Sequence, residues 1–109
     1  MLPRIPSLLA SVTTVSVLAC ASELGPMPPA AAPPPADQAF RVEATVRWLS
    51  IENGCWVLAT ANGRYQPVDL PVGYRVEGRT VSAKLRGAPD MVTTCMAGPL
   101  VHVDSIARR

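Results

Sequence analysis

The stretch Ile51-Glu52-Asn53-Gly54-Cys55-Trp56-Val57-Leu58-Ala59-Thr60-Ala61-Asn62-Gly63-Arg64-Tyr65 decides the fold. It sets an apolar run between two Asn-Gly pairs. Asn-Gly is the strongest short signal for a two-residue hairpin turn, because both central residues take positive φ. Upstream, Phe40, Val42, Ala44, Val46 and Trp48 alternate with Arg41, Glu43, Thr45 and Arg47. That period of two is the mark of a half-buried strand. A turn at Asn53-Gly54 predicts Trp48 opposite Ala59 and Ser50 opposite Val57. A turn at Asn62-Gly63 predicts Ala59 opposite Gln66 and Val57 opposite Val68. Opposed residues share a face. Both turns together therefore gather Phe40, Val42, Ala44, Val46, Trp48, Cys55, Val57, Ala59, Val68 and Leu70 on one apolar face, with Cys55 inward.

The other face of this meander is not plainly polar. It carries Leu49, Ile51, Trp56, Leu58, Tyr65 and Pro67, with Arg47 alongside. Two readings stand. A bulge in the first strand draws part of the set into the core, or the set is an exposed aromatic-aliphatic patch.

Beyond the meander, residues 71–78 read as a connector. Val81, Ala83 and Leu85 alternate with Ser82, Lys84 and Arg86 in a further strand. Gly87-Ala88-Pro89-Asp90 turns the chain, residues 91–96 form a short strand bearing Cys95, and Gly98-Pro99 breaks it. Residues 100–106 form the last strand. A three-stranded meander, a connector and two more main strands predict an all-β domain over 38–109, a small five-stranded barrel of the OB type. Closure would remove the exposed edges of so short a sheet.

Several stretches carry a resemblance: Val46-Arg47-Trp48-Leu49, Gly54-Cys55-Trp56-Val57-Leu58, Tyr65-Gln66-Pro67-Val68-Asp69-Leu70-Pro71, Val81 in its strand, and Val101-His102-Val103. Together they resemble the single OB-like domain of small, mostly uncharacterised bacterial envelope proteins. The resemblance rests on barrel pattern and implies no active site.

Residues 1–19 read as an export signal. Arg4 is its positive start, and Ser7 to Leu18 is an apolar run too short for the roughly 20 residues a membrane span needs. Val17-Leu18-Ala19-Cys20 resembles the bacterial lipobox. The resemblance implies cleavage before Cys20, acylation of Cys20 and a membrane anchor through that lipid. Ala21 and Ser22 after the cysteine are similar to residues that permit outer-membrane sorting. The rival reading is cleavage after Ala19-Cys20-Ala21 as an ordinary secretory site, which would release a soluble barrel.

Three cysteines are an odd number for an exported chain. With Cys20 lipidated, Cys55 and Cys95 remain to pair in an oxidising compartment. Between leader and head, residues 20–37 include six prolines and read as a disordered tether. Its extended length could hold the head up to about 50 Å from the bilayer.

The head carries nine basic against six acidic side chains. That mild excess falls short of a nucleic-acid footprint. His102 is the only histidine, with Asp104 two residues on, too few donors for a metal site. No phosphate loop or paired carboxylates appear. The expectation is a cofactor-free, non-enzymatic module of the cell envelope. OB barrels bind through the outer face of strands two and three. Trp56, Leu58 and Tyr65 with Arg47 and Arg64 are the candidate ligand face there, suited to a saccharide or an anionic envelope component. The alternative is a structural protein docking an envelope protein.

Overall fold

The computed structural model describes residues 25–51, 53–93 and 95–109. The candidate leader and the candidate acylated Cys20 lie outside the described residues. Among the described residues five strands form, β1 (Phe40–Leu49), β2 (Cys55–Thr60), β3 (Gly63–Pro67), β4 (Thr80–Gly87) and β5 (Leu100–Arg108), and one 3-10 turn at Val72–Tyr74. They close into a barrel in the order β1-β2-β3-β5-β4. The long β1 serves both halves. Its first part pairs with β4, from Phe40↔Leu85 to Thr45↔Thr80, and its second part with β2, from Thr45↔Ala59 to Leu49↔Cys55. A parallel seam joins β3 to β5, at Gln66↔Leu100 and Pro67↔Val101, while the other strand pairs in that order are antiparallel. This is the all-β, five-stranded, OB-like barrel that the strand order predicts.

The expected alternation holds from Val42 to Val46 in β1 and from Val81 to Leu85 in β4, but Trp48, expected on the same inward face, is 42% exposed near the end of β1, where it meets Trp56 edge-on. Val42, Ala44, Val46, Val81, Ala83 and Leu85 fill the barrel. The meander's register is different. Cys55 pairs with Leu49, so the β1–β2 connection is a five-residue loop, 50–54, rather than a two-residue turn. The expected and observed pairings differ by an odd step, and an odd step turns every β2 side chain over. Leu58 therefore faces inward beside Val46, while Cys55 and Val57 face out of the barrel. The second turn lies at Ala61-Asn62, and Gly63 opens β3 opposite Thr60. That shift is even, so Tyr65 follows Leu58 into the core. Both faces of β2 are apolar, so alternation alone could not choose between them; loop length chose.

The Pro/Ala stretch is not a free tether where the structure describes it. Residues 28–35 lie as a strap along the barrel. Prolines lack an N–H and offer only carbonyls, and the strands supply the donors. Arg64 N–H donates to Pro29 O at 2.8 Å and Gly87 N–H to Pro35 O at 3.0 Å, while Ala31 N–H returns a bond to Arg64 O at 3.0 Å. The Ala31 methyl is buried with the barrel core. Two glycines permit the close approach. A Cβ on Gly63, at φ 121°, would lie 2.8 Å from Pro29 O and the Ala31 backbone, and one on Gly87 would lie 2.3 Å from Pro34 O. The folded unit thus takes in at least the strap, well before residue 38.

Residues 91–96 also differ from expectation: none of the described residues among them lies in a strand. The β4–β5 loop, residues 88–99, instead folds across the outer face of β2 and β3. Cys55 and Cys95 lie at disulfide distance there, with Cα atoms 6.4 Å apart. Cys55, Val57, Cys95 and Ala97 make a second small core outside the barrel, with Met27 and Leu49 against it.

Candidate functional site

The five residues of the expected ligand face separate in the folded chain. Leu58 is fully buried and Tyr65 is 5% exposed, both inside the barrel. Burial raises the pKa of the Tyr65 hydroxyl above its ordinary value of 10.0, because the phenolate would be poorly solvated there. Neither lies on the outer face of β2 and β3, and the reason is the turned-over register of β2; Tyr65 instead borders a separate cleft beside Phe40 and the strap residues Ala32, Pro34 and Pro35. Trp56 is half-buried, edge-on to Trp48 across the β1–β2 pair with ring centres 4.8 Å apart. Arg47 is held by Glu77 at 3.1 Å. The same carboxylate accepts from the Trp48 N–H, so Glu77 ties the connector to β1.

Arg64 is occupied too. Its Nη1 donates to Pro28 O at 2.7 Å, and its Nε donates to Ala97 O. It pins the strap and the β4–β5 loop with one guanidinium. Gln66, 6% exposed, completes the fastening. Its Oε1 accepts from Ala97 N–H at 2.9 Å and its Nε2 donates to Thr93 Oγ1 at 3.1 Å. The outer face of β2 and β3, where OB barrels bind, is thus covered by this chain's own loop.

What stays open lies at the margin of that cover. A cleft of about 180 Å³ runs beside Cys55 and Cys95 and is lined by Trp56, Gln66, Thr93 and Arg75. Arg75 comes from the connector after the 3-10 turn, and its Nε donates to Leu70 O at 2.9 Å, which aims the guanidinium. An aromatic ring, an amide, a hydroxyl and a guanidinium meet here. Only Trp56 was foreseen. Arg75, Gln66 and Thr93 come from three separate segments, and no spacing in the sequence joins them.

A second polar group sits on the outer side of β5. His102 Nδ1 lies 3.5 Å from Asp69, whose other oxygen accepts from Val103 N–H at 2.8 Å. Asp104 serves Arg86, at 3.1 Å, instead of His102. That hydrogen bond, with the charge of Asp104 and a smaller contribution from Asp69, holds the Arg86 proton more tightly than usual. A register shift between Lys84 and Leu85 frees Asp104 from strand pairing and re-aims it. Among the described residues no three His, Cys, Asp or Glu side chains are grouped to hold a metal ion, and no helix is long and apolar enough to cross a membrane.

No protein-family model matches the chain, and no curated protein matches it significantly.

Proposed function

We propose that this chain is a non-enzymatic binding module of the cell envelope, anchored through lipid on Cys20, that holds a saccharide or anionic envelope component in the Trp56–Arg75 cleft. The observation that carries the reading is the cleft's composition: a half-buried indole beside a guanidinium, a buried amide and a hydroxyl. An indole face packs on a sugar ring, and a guanidinium forks onto carboxylate or phosphate oxygens. At about 180 Å³ the cleft is smaller than the 300 Å³ or more of a drug-sized site. It suits one terminal ring or acidic group of a polymer. The disulfide beside it makes the walls rigid, so little ordering is needed on binding.

Titration calorimetry with oligosaccharides bearing carboxylate or phosphate groups tests the reading. Binding that falls at least tenfold in Arg75→Gln, with the unfolding midpoint little changed, supports it. Equal binding by Arg75→Gln and the unsubstituted protein would sink it.

A further inference from the structure

Residues 88–99 contain a single charged side chain, Asp90. Surface loops usually present polar groups to water. This one presents Met91, Val92 and Met96, with Val92 89% and Met96 80% exposed. They flank an apolar groove of about 370 Å³ whose opposite wall is Ala30 and Pro33 of the strap. The loop is fixed from beneath by Cys95, Gln66 and Arg64. Its apolar side chains therefore cannot relieve their exposure by folding back onto the barrel.

The strap decides what lies opposite. With residues 28–35 fastened to the barrel, the reach from Cys20 is short. Four residues, 21–24, separate Cys20 from Gly25. Whatever path they take, five Cα steps span at most about 18 Å. The described chain starts on the same side as the apolar loop. Gly25 O accepts from Arg47 Nη1 at 3.4 Å, Met27 packs in the cluster of Cys55, Cys95 and Ala97, and Pro28 and Ala97 share the Arg64 guanidinium.

We infer that the β4–β5 loop rests on the surface of the bilayer that holds the Cys20 lipid, with Met91, Val92 and Met96 set among the outermost acyl carbons. The inference builds on the lipid anchoring proposed above. A leash this short keeps one side of the barrel at the membrane, and the side from which it emerges is the apolar one. Three apolar side chains would hold a free protein only weakly. Joined to an anchor they act at a high effective concentration of surface, where weak contact suffices. Methionine suits such a contact because its unbranched chain adapts to irregular neighbours.

The test uses the full acylated protein, reconstituted in vesicles of phosphatidylethanolamine and phosphatidylglycerol that carry a lipid-borne quencher. A polarity-sensitive fluorophore is placed at Val92→Cys and, in a separate sample, at Lys84→Cys. Lys84 is exposed on β4, which does not adjoin β2 or β3 in the barrel. The expected result is a label at 92 quenched several-fold more than the label at 84. Intact mass of the same samples reads the anchor separately. Acylated protein with both labels equally in water overturns this inference alone. Absence of acyl mass overturns the anchoring and the inference together. A label at 92 that stays in water on vesicles, and is shielded only when membrane proteins are added, overturns it in favour of a protein partner.

Discussion

Arg64 on β3 donates from Nη1 to the carbonyl of Pro28 at 2.7 Å, across 36 residues of sequence. The same guanidinium reaches Ala97 O. One side chain thus fastens the strap on one side and the β4–β5 loop on the other. Arg64→Met keeps the aliphatic stem and removes both bonds. Hydrogen bonds to charged groups contribute about 1.5–3 kcal/mol each, so losing both costs about 3–6 kcal/mol. Urea unfolding measures it, and limited proteolysis should show new cleavage near residues 28–35. Unchanged stability and no new cleavage would show that the backbone bonds of Arg64, Ala31 and Gly87 hold the strap without the guanidinium.

Reducing the Cys55–Cys95 bridge frees a loop whose ends are 40 residues apart. The chain-entropy account gives a loss of about 4 kcal/mol at most. Cys55→Ala with Cys95→Ala should lower the urea midpoint accordingly and expose Val57, which is fully buried beneath the loop. Equal midpoints with and without reductant would mean that Gln66 and Arg64 hold the loop unaided.

Tyr65 supplies a pH signature. Its folded pKa is raised by burial, so the folded state holds the proton more tightly than the unfolded chain does. The stability this contributes is fully present below the unfolded value near 10.0 and is lost as pH rises through the folded value. Unfolding free energy should therefore decline above about pH 10, the ordinary tyrosine value, and Tyr65→Phe should flatten the decline. A decline of the same slope in Tyr65→Phe would assign the effect to another group.

The register of β1 against β2 can be read optically. Trp48 and Trp56 are directly paired with ring centres 4.8 Å apart, so they should couple and give a split far-ultraviolet circular dichroism band. Trp56→Phe should abolish it. In the register with a two-residue turn Trp48 faces Ala59, and no such band arises. Leu58→Ala should cost about 2–5 kcal/mol, the range for a fully buried leucine.

The sequence shows much of the barrel and little of its outer cover. Alternation in β1 and β4 was legible because each has one apolar face and one polar face, so only one orientation buries the right set. Alternation in β2 was not decisive. Cys55 and Val57 on one side and Trp56 and Leu58 on the other are all apolar, and the strand is covered on both sides. Asn53-Gly54 on its own signals a complete two-residue turn, yet it is only the end of a five-residue loop. The strap was hidden by composition. Prolines and alanines offer little to bury, but their carbonyls meet donors on Arg64 and Gly87, and a single methyl, Ala31, suffices to seat them. The cleft was least legible of all, since Trp56, Thr93 and Arg75 meet only when the loop and the connector have folded.

The closed loop between Cys55 and Cys95 also governs how the protein yields to force. Its ring encloses β2, β3 and β4, so those strands cannot lengthen while the bond is intact. At about 3.4 Å per residue, a separation of 40 residues withholds about 130 Å of extension. A pull from the N-terminal end meets the strap first, and its few bonds to Arg64 and Gly87 part before β1 is stripped from β4. An oxidised head stretched this way gives a short early release and then a truncated extension. A reduced head gives the same early release followed by the full length of the chain.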